Sequence, residues 1–277
     1  MTDQVERHLD VEAADRIMLR FGIDVLDIDP AEATSVMSMP IAGMRNPFTG
    51  DNTVGPLAIL VDSASGMVNH MGRRDDEWSV SSELVLELSP DAGAQASWDA
   101  QHPVVAHARL LGARGSSSLS LCTLKSGITT IGGGMVRSYF VPGERVIPTN
   151  PTETLARTAQ TELSDLMAVE IAPAAGDMPM LSQRVDPILN NGVGTVHGGV
   201  AAAGLELVAS AAINNSDGAL FRTASVRVNF LRPFFASAHS RYEAAPLRIG
   251  RGTAVADAQA VNEDGKVALI ARVTAYR

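Results

Sequence analysis

A glycine-rich loop and an alanine-rich segment between Asn191 and Ile213 carry the residues most suited to chemistry. The stretch contains a His-Gly-Gly triplet at 197–199, followed by a small, apolar run with a single acid, Glu206. Because Ala is the strongest helix former and no Pro interrupts the run, the pattern predicts a buried helix. Free N–H groups at a helix start can meet a polarised oxygen, and a buried carboxylate needs a partner or a task. Together these features indicate a site for a carbonyl compound.

A second stretch, Val54 to Met71, has the same character and again contains one acid, Asp62. Asp62 and Glu206 are separated by 144 residues (206 − 62). Other landmarks recur at nearly that spacing, namely Pro90 with Pro233, Arg114 with Arg251, and Tyr139 with Tyr276. Repetition at a fixed period indicates a duplicated unit. The chain is therefore predicted to contain two α+β units of about 130 residues, each with an acid in its helix.

Strand-like segments surround both predicted helices and must position their acids. Runs that alternate apolar and polar residues, separated by Gly, Pro and Asn, predict these strands. They are expected at Phe21–Ile28, Thr34–Met39, Ser79–Leu88, Gln95–Leu111, Ser116–Ser126, Thr129–Phe140, Met178–Leu189, Thr223–Phe230, Ser237–Ile249, Thr253–Asn262 and Lys266–Tyr276. A Pro-rich joint from Val141 to Pro151 predicts domains at 1–145 and 146–277. After this joint, Thr152 to Val169 is predicted to be an amphipathic helix.

The composition argues against several functional classes. The 277 residues are 45% hydrophobic, enough for a large core, and the net charge is −9 with a pI near 5.1, which argues against a nucleic-acid partner. One cysteine, Cys122, permits no internal disulfide and fits a reducing compartment. No stretch approaches the roughly 18 apolar residues of a membrane span, and the first residues lack a signal-peptide pattern. We therefore expect a cytoplasmic protein without a membrane partner.

The second half of the chain resembles the hotdog-fold thioesterase superfamily, specifically its PaaI-like acyl-CoA thioesterase branch. The matching features are Asn191-x-x-Gly194-x-x-His197-Gly198-Gly199, the acid nine residues later, and Thr223–Pro233 with its Phe-Leu-Arg-Pro end. Residues 175–277 match well, and residues 20–142 match more weakly. The resemblance implies an α+β double hotdog, with two antiparallel sheets that each wrap a central helix and pair within one chain. It further implies an acyl-CoA substrate and no cofactor or metal, and it permits association into homo-oligomers.

The resemblance also implies roles for individual residues. The Gly198 amide and the Asn191 side chain would polarise a thioester carbonyl. A helix acid would activate water or attack the carbonyl directly, and the Thr223 hydroxyl would place the water. Further candidates for substrate binding are Gly199 and, as basic residues near strand ends that could meet CoA phosphates, Arg232, Arg248 and Arg251.

The first half departs from the family pattern at most of these positions. By sequence offset, Thr53 stands at the histidine position and Val54 at the first glycine. Pro47 stands at the asparagine position, with Asn46 one residue early, and Val80 replaces the strand hydroxyl, with Ser79 and Ser81 beside it. Of the reactive groups, the acid Asp62 is retained.

Helix geometry limits how these groups can combine. A helix rises about 1.5 Å per residue, so Gly198 and Glu206 lie roughly 12 Å apart along one axis. Glu206 therefore cannot reach a carbonyl held at Gly198. If the two helices pack antiparallel, Asp62 lies beside Gly198 and Glu206 lies beside Val54. This predicts one complete site and one impaired site.

Each assignment has a structural alternative. The glycine pair could serve only close packing, Asp62 and Glu206 could be buried hydrogen-bonding groups, and Thr223 could be simply a strand former. His197 is expected to brace the loop rather than to transfer protons. The favoured hypothesis is an acyl-CoA thioesterase, a thioester hydrolase that uses carboxylate-assisted water attack. The alternative is an acyl-CoA-binding or regulatory hotdog protein without turnover.

Overall fold

The structure is a computed structural model that describes residues 17–92, 102–145, 151–158, 160–173, 178–215 and 220–277. Its two long helices are α2 (Leu57–Met71) and α4 (Gly198–Asn214), and the short helices α1 (Ile17–Phe21) and α3 (Leu163–Leu166) lie outside them. The strands are β1 (Asp24–Asp29), β2 (Thr34–Met39), β3 (Glu77–Leu88), β4 (Val104–Leu110), β5 (Ser117–Ser126), β6 (Thr129–Pro142), β7 (Val169–Ile171), β8 (Met180–Gln183), β9 (Arg222–Phe230), β10 (Arg241–Ile249), β11 (Thr253–Val261) and β12 (Val267–Tyr276). Most lie within a few residues of their predicted positions, although residues 95–101 of one predicted strand fall outside the described ranges.

All these strands join one antiparallel sheet in the order β1-β2-β4-β5-β6-β3-β9-β12-β11-β10-β8-β7. The order is symmetric about its centre, where β3 pairs with β9. Each strand from β1 to β6 thus has a counterpart among β7 to β12, as the internal repeat predicts. The halves are joined edge to edge, so the two sheets form one continuous surface.

The long helices pack antiparallel to each other and against the sheet, α2 on strands of the first half and α4 mainly on those of the second. Nearly all of the 17 residues of α4 are buried, because its Ala, Val and Leu side chains face the sheet or α2 on every side. Glycine permits the close helix contact. A Cβ at Gly199 would lie 2.6 Å from the Ile59 Cα atom.

The segment that connects the two halves differs from the prediction. Residues 152–158 and 160–162 are not helical, and a helix is present only at Leu163–Leu166. Glu153 forms two hydrogen bonds with the buried Arg20 guanidinium, at 2.6 and 2.8 Å, and Leu155 packs against the core. These tertiary contacts hold the segment in an irregular path and override its weak helical pattern. The domain boundary between 145 and 146 adjoins residues outside the described ranges and stays a prediction.

No helix within the described ranges is both long enough and apolar enough to cross a membrane.

Candidate active site

Asp62 lies where α2 crosses the start of α4, and the residue is only 5% exposed. Its Oδ2 accepts a 2.7 Å hydrogen bond from the Gly199 amide, and its Oδ1 accepts a 2.9 Å hydrogen bond from the Ser81 hydroxyl. An ionised carboxylate has about four acceptor positions, so each oxygen can still accept a hydrogen bond from a water molecule. The antiparallel packing therefore brings the acid of one half to the glycine pair of the other.

Gly198, the first residue of α4, offers a backbone N–H that makes no hydrogen bond with any described residue. Such N–H groups lack intrahelical partners and carry the partial positive charge of the helix start. A Cβ at this position would lie 2.7 Å from Asp62 Oδ2 and 3.2 Å from the Phe230 ring. A residue without a side chain is therefore needed to hold the carboxylate beside this free amide.

Asn191 and His197 organise the loop that leads into α4. Asn191 Oδ1 accepts hydrogen bonds from the amides of Val193 and Thr195 and from the Thr195 hydroxyl, each at 3.1 Å. Because that oxygen is used by the loop, the Nδ2 amide is the group that Asn191 can offer to a ligand. His197 Nδ1 accepts from the Gly199 amide at 3.2 Å and lies 3.5 Å from Asp62 Oδ2. This places His197 as a helix cap beside the acid.

Gly199, expected to contact substrate, has a different environment. Its N–H donates to Asp62 and its Cα packs against α2, so it positions the acid and permits helix packing. It is not among the residues that line the adjoining cavity. The expectation of a substrate contact for Gly199 is therefore corrected.

Ser81 was not selected in the sequence analysis. The constant offset assigned the hydroxyl position to Val80, but Ser81 donates to Asp62 as Thr223 donates to Glu206. A bulged residue follows each hydroxyl, Ser82 in β3 and Ala224 in β9, so the two strand ends are equivalent. The available signal was the recurrence of a hydroxyl 19 residues after one acid and 17 residues after the other.

A cavity of about 320 Å³ adjoins these groups. Its polar side contains Asp62, Ser81, Asn191, His197 and Gly198. Most other walls are apolar and include Ile17, Met37, Met67, Trp78, Phe230 and Leu269. An apolar cavity with a few converging polar groups is typical of a site for a small organic ligand.

Glu206 occupies the equivalent position at the start of α2 and is 1% exposed. Its Oε1 accepts from the Thr223 hydroxyl at 2.5 Å and its Oε2 accepts from the Thr53 hydroxyl at 3.0 Å. Burial raises the pKa of this carboxyl, and the hydrogen bonds from the two threonines partly oppose that rise. A polar cavity of about 810 Å³ adjoins this second acid.

The groups of this second site that correspond to Asn191 and Gly198 differ from them. Asn46, not Pro47, is equivalent to Asn191, because its Oδ1 accepts from the amide two residues later, that of Phe48. The loop from this asparagine to the helix-capping residue is one residue longer in the first half than in the second. A constant offset of 144 residues therefore points to Pro47. The Asn46 Nδ2 donates to the Leu207 carbonyl oxygen at 3.1 Å and is thereby committed to α4.

The start of α2 is also built differently. The Gly55 amide donates to Thr53 Oγ1 at 3.2 Å, as Gly199 donates to His197, so Thr53 is the equivalent cap. Leu57 and Ala58 then donate to carbonyls three residues back, which tightens the first turn. Val54 stands at the position of Gly198 and adds a side chain there. This site thus retains an acid and hydroxyls, but the groups that correspond to Asn191 and Gly198 are altered.

The three arginines do not converge. Arg232 is exposed and lies at the rim of the cavity beside Asp62. Arg248 and Arg251 flank the turn from β10 to β11, which meets the end of β12 and the start of β9 through the Thr253–Tyr276 and Tyr276–Arg222 pairs. They therefore lie at the opposite end of β9 from Arg232, so the three arginines do not meet at one cavity, and a phosphate contact by Arg248 or Arg251 stays a prediction.

Residues 193–269 match the family model of the thioesterase superfamily. This region begins in the Asn191 loop and ends within β12. A search of curated protein sequences gives no match.

Solved structures with similar folds span nearly the whole chain. The TesB protein of Mycobacterium avium subsp. paratuberculosis is 11% identical with a TM-score of 0.62, and the overlap covers 95% of this chain and 98% of that chain. TesB2, an acyl-CoA thioesterase II from Mycobacterium marinum, is 14% identical with a TM-score of 0.60, covering 94% and 96%. The 12:0-ACP thioesterase of Umbellularia californica is 12% identical with a TM-score of 0.54, covering 88% and 94%. These similarities confirm the predicted double hotdog fold.

The narrower resemblance to the PaaI branch is weak at the level of structure. The PaaI protein of Escherichia coli is 23% identical, but the TM-score is 0.37 and the overlap covers 41% of this chain and 86% of that chain. The superfamily resemblance rests on the family-model match of residues 193–269.

Proposed function

We propose that this protein is an acyl-CoA thioesterase that hydrolyses its substrate at the composite site formed by Asp62 and Gly198. The observation that carries the proposal is the Asp62 carboxylate, held by Ser81 and Gly199 beside a free helix-start amide in an apolar cavity. The match of residues 193–269 to the thioesterase superfamily supports the same reaction class.

In the proposed reaction, the thioester carbonyl oxygen accepts hydrogen bonds from the Gly198 N–H and from Asn191 Nδ2. These donors stabilise the negative charge that develops on that oxygen as the carbonyl carbon becomes tetrahedral. Donors of this kind are effective in a cavity from which bulk water is largely excluded, because the local dielectric is low.

Asp62 acts as the general base in this proposal. A water molecule hydrogen-bonded to the carboxylate loses a proton to Asp62 while its oxygen attacks the carbonyl carbon. The tetrahedral intermediate then collapses, the carbon–sulfur bond breaks, and the CoA thiolate leaves and takes up a proton. The products are a carboxylic acid and free CoA thiol.

The CoA portion is proposed to leave the cavity past the exposed rim, where Arg232 lies. An arginine at this point can pair with a CoA phosphate through charge-assisted hydrogen bonds. An exposed pair of this kind contributes modestly to binding and is weakened by salt.

Release of free thiol from a panel of acyl-CoA esters, followed with DTNB, tests the proposal. Asp62→Asn keeps the shape of the side chain but removes the base, so kcat is expected to fall by about 10³-fold. Glu206→Gln is the matched control and is expected to keep at least about one third of the wild-type kcat, since general-base losses are far larger. Equal rates for wild type and Asp62→Asn would refute the assignment. Calorimetric binding of acyl-CoA without thiol release over hours would select the non-catalytic alternative.

A further inference from the structure

One face of α2 lines the cavity beyond Asp62, and its residues differ from those of a packed helix face. The face consists of Ser63, Gly66, Met67 and His70, spaced i, i+3, i+4 and i+7, and all four line the cavity. It leads from the acid toward the C-terminal end of the helix. Any group attached to the thioester carbonyl and directed along α2 would lie on this face.

Gly66 is in the middle of α2, where glycine is the least favoured residue after proline. A Cβ at Gly66 would meet no atom within 4 Å. By contrast, a Cβ at Gly198, Gly199 or Gly204 in α4 would lie within 2.7 Å of another group. Those three glycines are required by close contacts, whereas Gly66 borders open space.

The second half shows that a side chain is compatible with this helix position. Ser210 lies 144 residues after Gly66, the same offset that relates Asp62 to Glu206, and it lines the second cavity. The fold therefore does not require glycine here. The absence of a side chain at Gly66 serves to keep the cavity beside Asp62 open.

His70 and Trp78 line the cavity at the far end of this face. His70 Nδ1 and Ser79 Oγ are 2.9 Å apart, and the His70 and Trp78 rings meet edge to face with centroids 4.5 Å apart. His70 lies two turns, about 12 Å, from Asp62 along the helix axis. With carbon–carbon bonds of about 1.5 Å, an extended chain of about eight to ten carbons spans this length.

We infer that the acyl chain lies along this face of α2, that the substrates are medium-chain acyl thioesters, and that Gly66 determines which chain lengths enter. This inference rests on the proposed function. Met67 and Met37 border the chain with flexible side chains that adapt to its shape. Gly66 is thus a specificity-determining residue rather than a catalytic one.

Chain-length profiles of Gly66 variants test the inference. Gly66→Leu is expected to lower the ratio of kcat/KM for decanoyl-CoA to that for butyryl-CoA by at least about tenfold. Gly66→Ala should shift the ratio in the same direction by less and raise the melting temperature, because alanine favours the helix and meets no clash. Ser210→Leu, the matched change at the second cavity, should leave the ratio within about twofold of wild type.

Binding of S-decyl-CoA and S-butyl-CoA, thioethers that cannot be hydrolysed, separates this inference from the proposed function. If wild type releases no thiol but Gly66→Leu still weakens S-decyl-CoA selectively, the chain placement stands and the hydrolase proposal fails. If wild type is active but Gly66→Leu changes both chain lengths by the same factor in turnover and in binding, the chain placement is overturned. The chain placement is also overturned if Ser210→Leu lowers the ratio of kcat/KM for decanoyl-CoA to that for butyryl-CoA as strongly as Gly66→Leu does.

Discussion

The site at Asp62 and the site at Glu206 contain the same kinds of group. They differ in the hydrogen bonds that those groups make. Each has an acid on one long helix and a capping side chain at the start of the other, Asp62 with His197 and Glu206 with Thr53. In the first site neither the Gly198 N–H nor the Asn191 Nδ2 group donates to another described residue, and both are proposed to bind the carbonyl. In the second, the Asn46 amide donates to Leu207 and a Val occupies the first glycine position. Both sites thus contain an acid, whereas only the site at Gly198 has both of the groups that we propose to bind the carbonyl.

Both sites have a buried acid, so the acid alone does not distinguish the site that we propose to be catalytic from the other. Glu206 has three neighbouring hydroxyl or amide groups in its network and a cavity beside it, yet that network satisfies the acid itself. Asp62 is also satisfied, but it faces a donor that has no partner among the described residues. In the proposed mechanism, the pairing of a base with this donor is what would allow the site to bind and attack a carbonyl.

After replacement of the acids themselves, the largest difference between the sites should appear when each glycine beside an acid is replaced. In Gly198→Ala the new Cβ would lie 2.7 Å from Asp62 Oδ2, which displaces the base from the carbonyl donor. We expect kcat to fall by at least about 100-fold in thiol-release assays.

Gly55→Ala is the matched change at the second site, where the new Cβ would lie 2.6 Å from Glu206 Oε2. We expect it to lower the free energy of unfolding by roughly 1–3 kcal/mol, as overpacking does, while kcat stays within about threefold of wild type. A large loss of kcat in Gly55→Ala would show that the second site also takes part in turnover.

A smaller effect is expected for the strand hydroxyls. Ser81→Ala removes a hydrogen bond to the Asp62 carboxylate and leaves the base less well oriented, so kcat should fall by about tenfold. Thr223→Val removes the corresponding bond to Glu206 and should cost roughly 1–3 kcal/mol of stability without a comparable loss of rate. Equal losses of kcat in Ser81→Ala and Thr223→Val would contradict the proposal that turnover takes place only at the Asp62 site.

The arginines at opposite ends of β9 should separate effects on binding from effects on chemistry. Arg232→Glu places a negative charge at the rim of the Asp62 cavity and is expected to raise KM for an acyl-CoA by about fivefold at low salt, with less effect in high salt. KM for the matching acyl-pantetheine, which lacks the CoA phosphates, should not change. Arg251→Glu is the control at the other end. An equal rise in KM for that control would contradict a phosphate contact at Arg232.

The smallest effect on rate, but a measurable one on stability, is expected for Glu206→Gln. Burial raises the folded-state pKa of Glu206 above its unfolded value, so the folded protein binds more protons between those two pH values. Wild-type stability therefore falls as pH rises from about 4.3, the ordinary Glu value, through the folded pKa. Gln does not titrate, so the stability of the variant lacks this contribution to its pH dependence.

Melting temperatures of wild type and Glu206→Gln across pH 4 to 8 check this prediction. The melting temperature of Glu206→Gln should rise relative to that of wild type as pH increases. The kcat of the variant should remain close to that of wild type. A melting temperature of Glu206→Gln that falls relative to that of wild type as pH rises would contradict the assigned burial of the ionised acid.

The repeat and the rise of a helix were sufficient to predict the duplicated architecture and the crossing of Asp62 with Gly198. The positions that could not be predicted are those where a local insertion changes the offset. The acid and the strand hydroxyl are 19 residues apart in the first half and 17 in the second, which gives Ser81, not Val80, the hydroxyl position. One extra loop residue gives Asn46, not Pro47, the asparagine position. A constant offset cannot detect such shifts, because hydrogen bonds between distant residues fix the final register.

The segment around Glu153 shows the same limit at the level of secondary structure. Thr152 and Glu153 have the pattern of a helix start, but the contact with Arg20, 133 residues away, determines the local path. Likewise, Arg232, Arg248 and Arg251 all follow or end strands, and only the strand pairing shows that they lie at different ends of the sheet.

A crystal structure of Asp62→Asn with a bound medium-chain acyl-CoA would show directly whether the thioester binds at the Asp62 site. Our account predicts that the thioester carbonyl oxygen lies within hydrogen-bonding distance, about 3 Å, of the Gly198 amide nitrogen and of Asn191 Nδ2, with the acyl chain beside Gly66. A thioester bound between Glu206 and Thr223, with the cavity at Gly198 free of substrate, would contradict it.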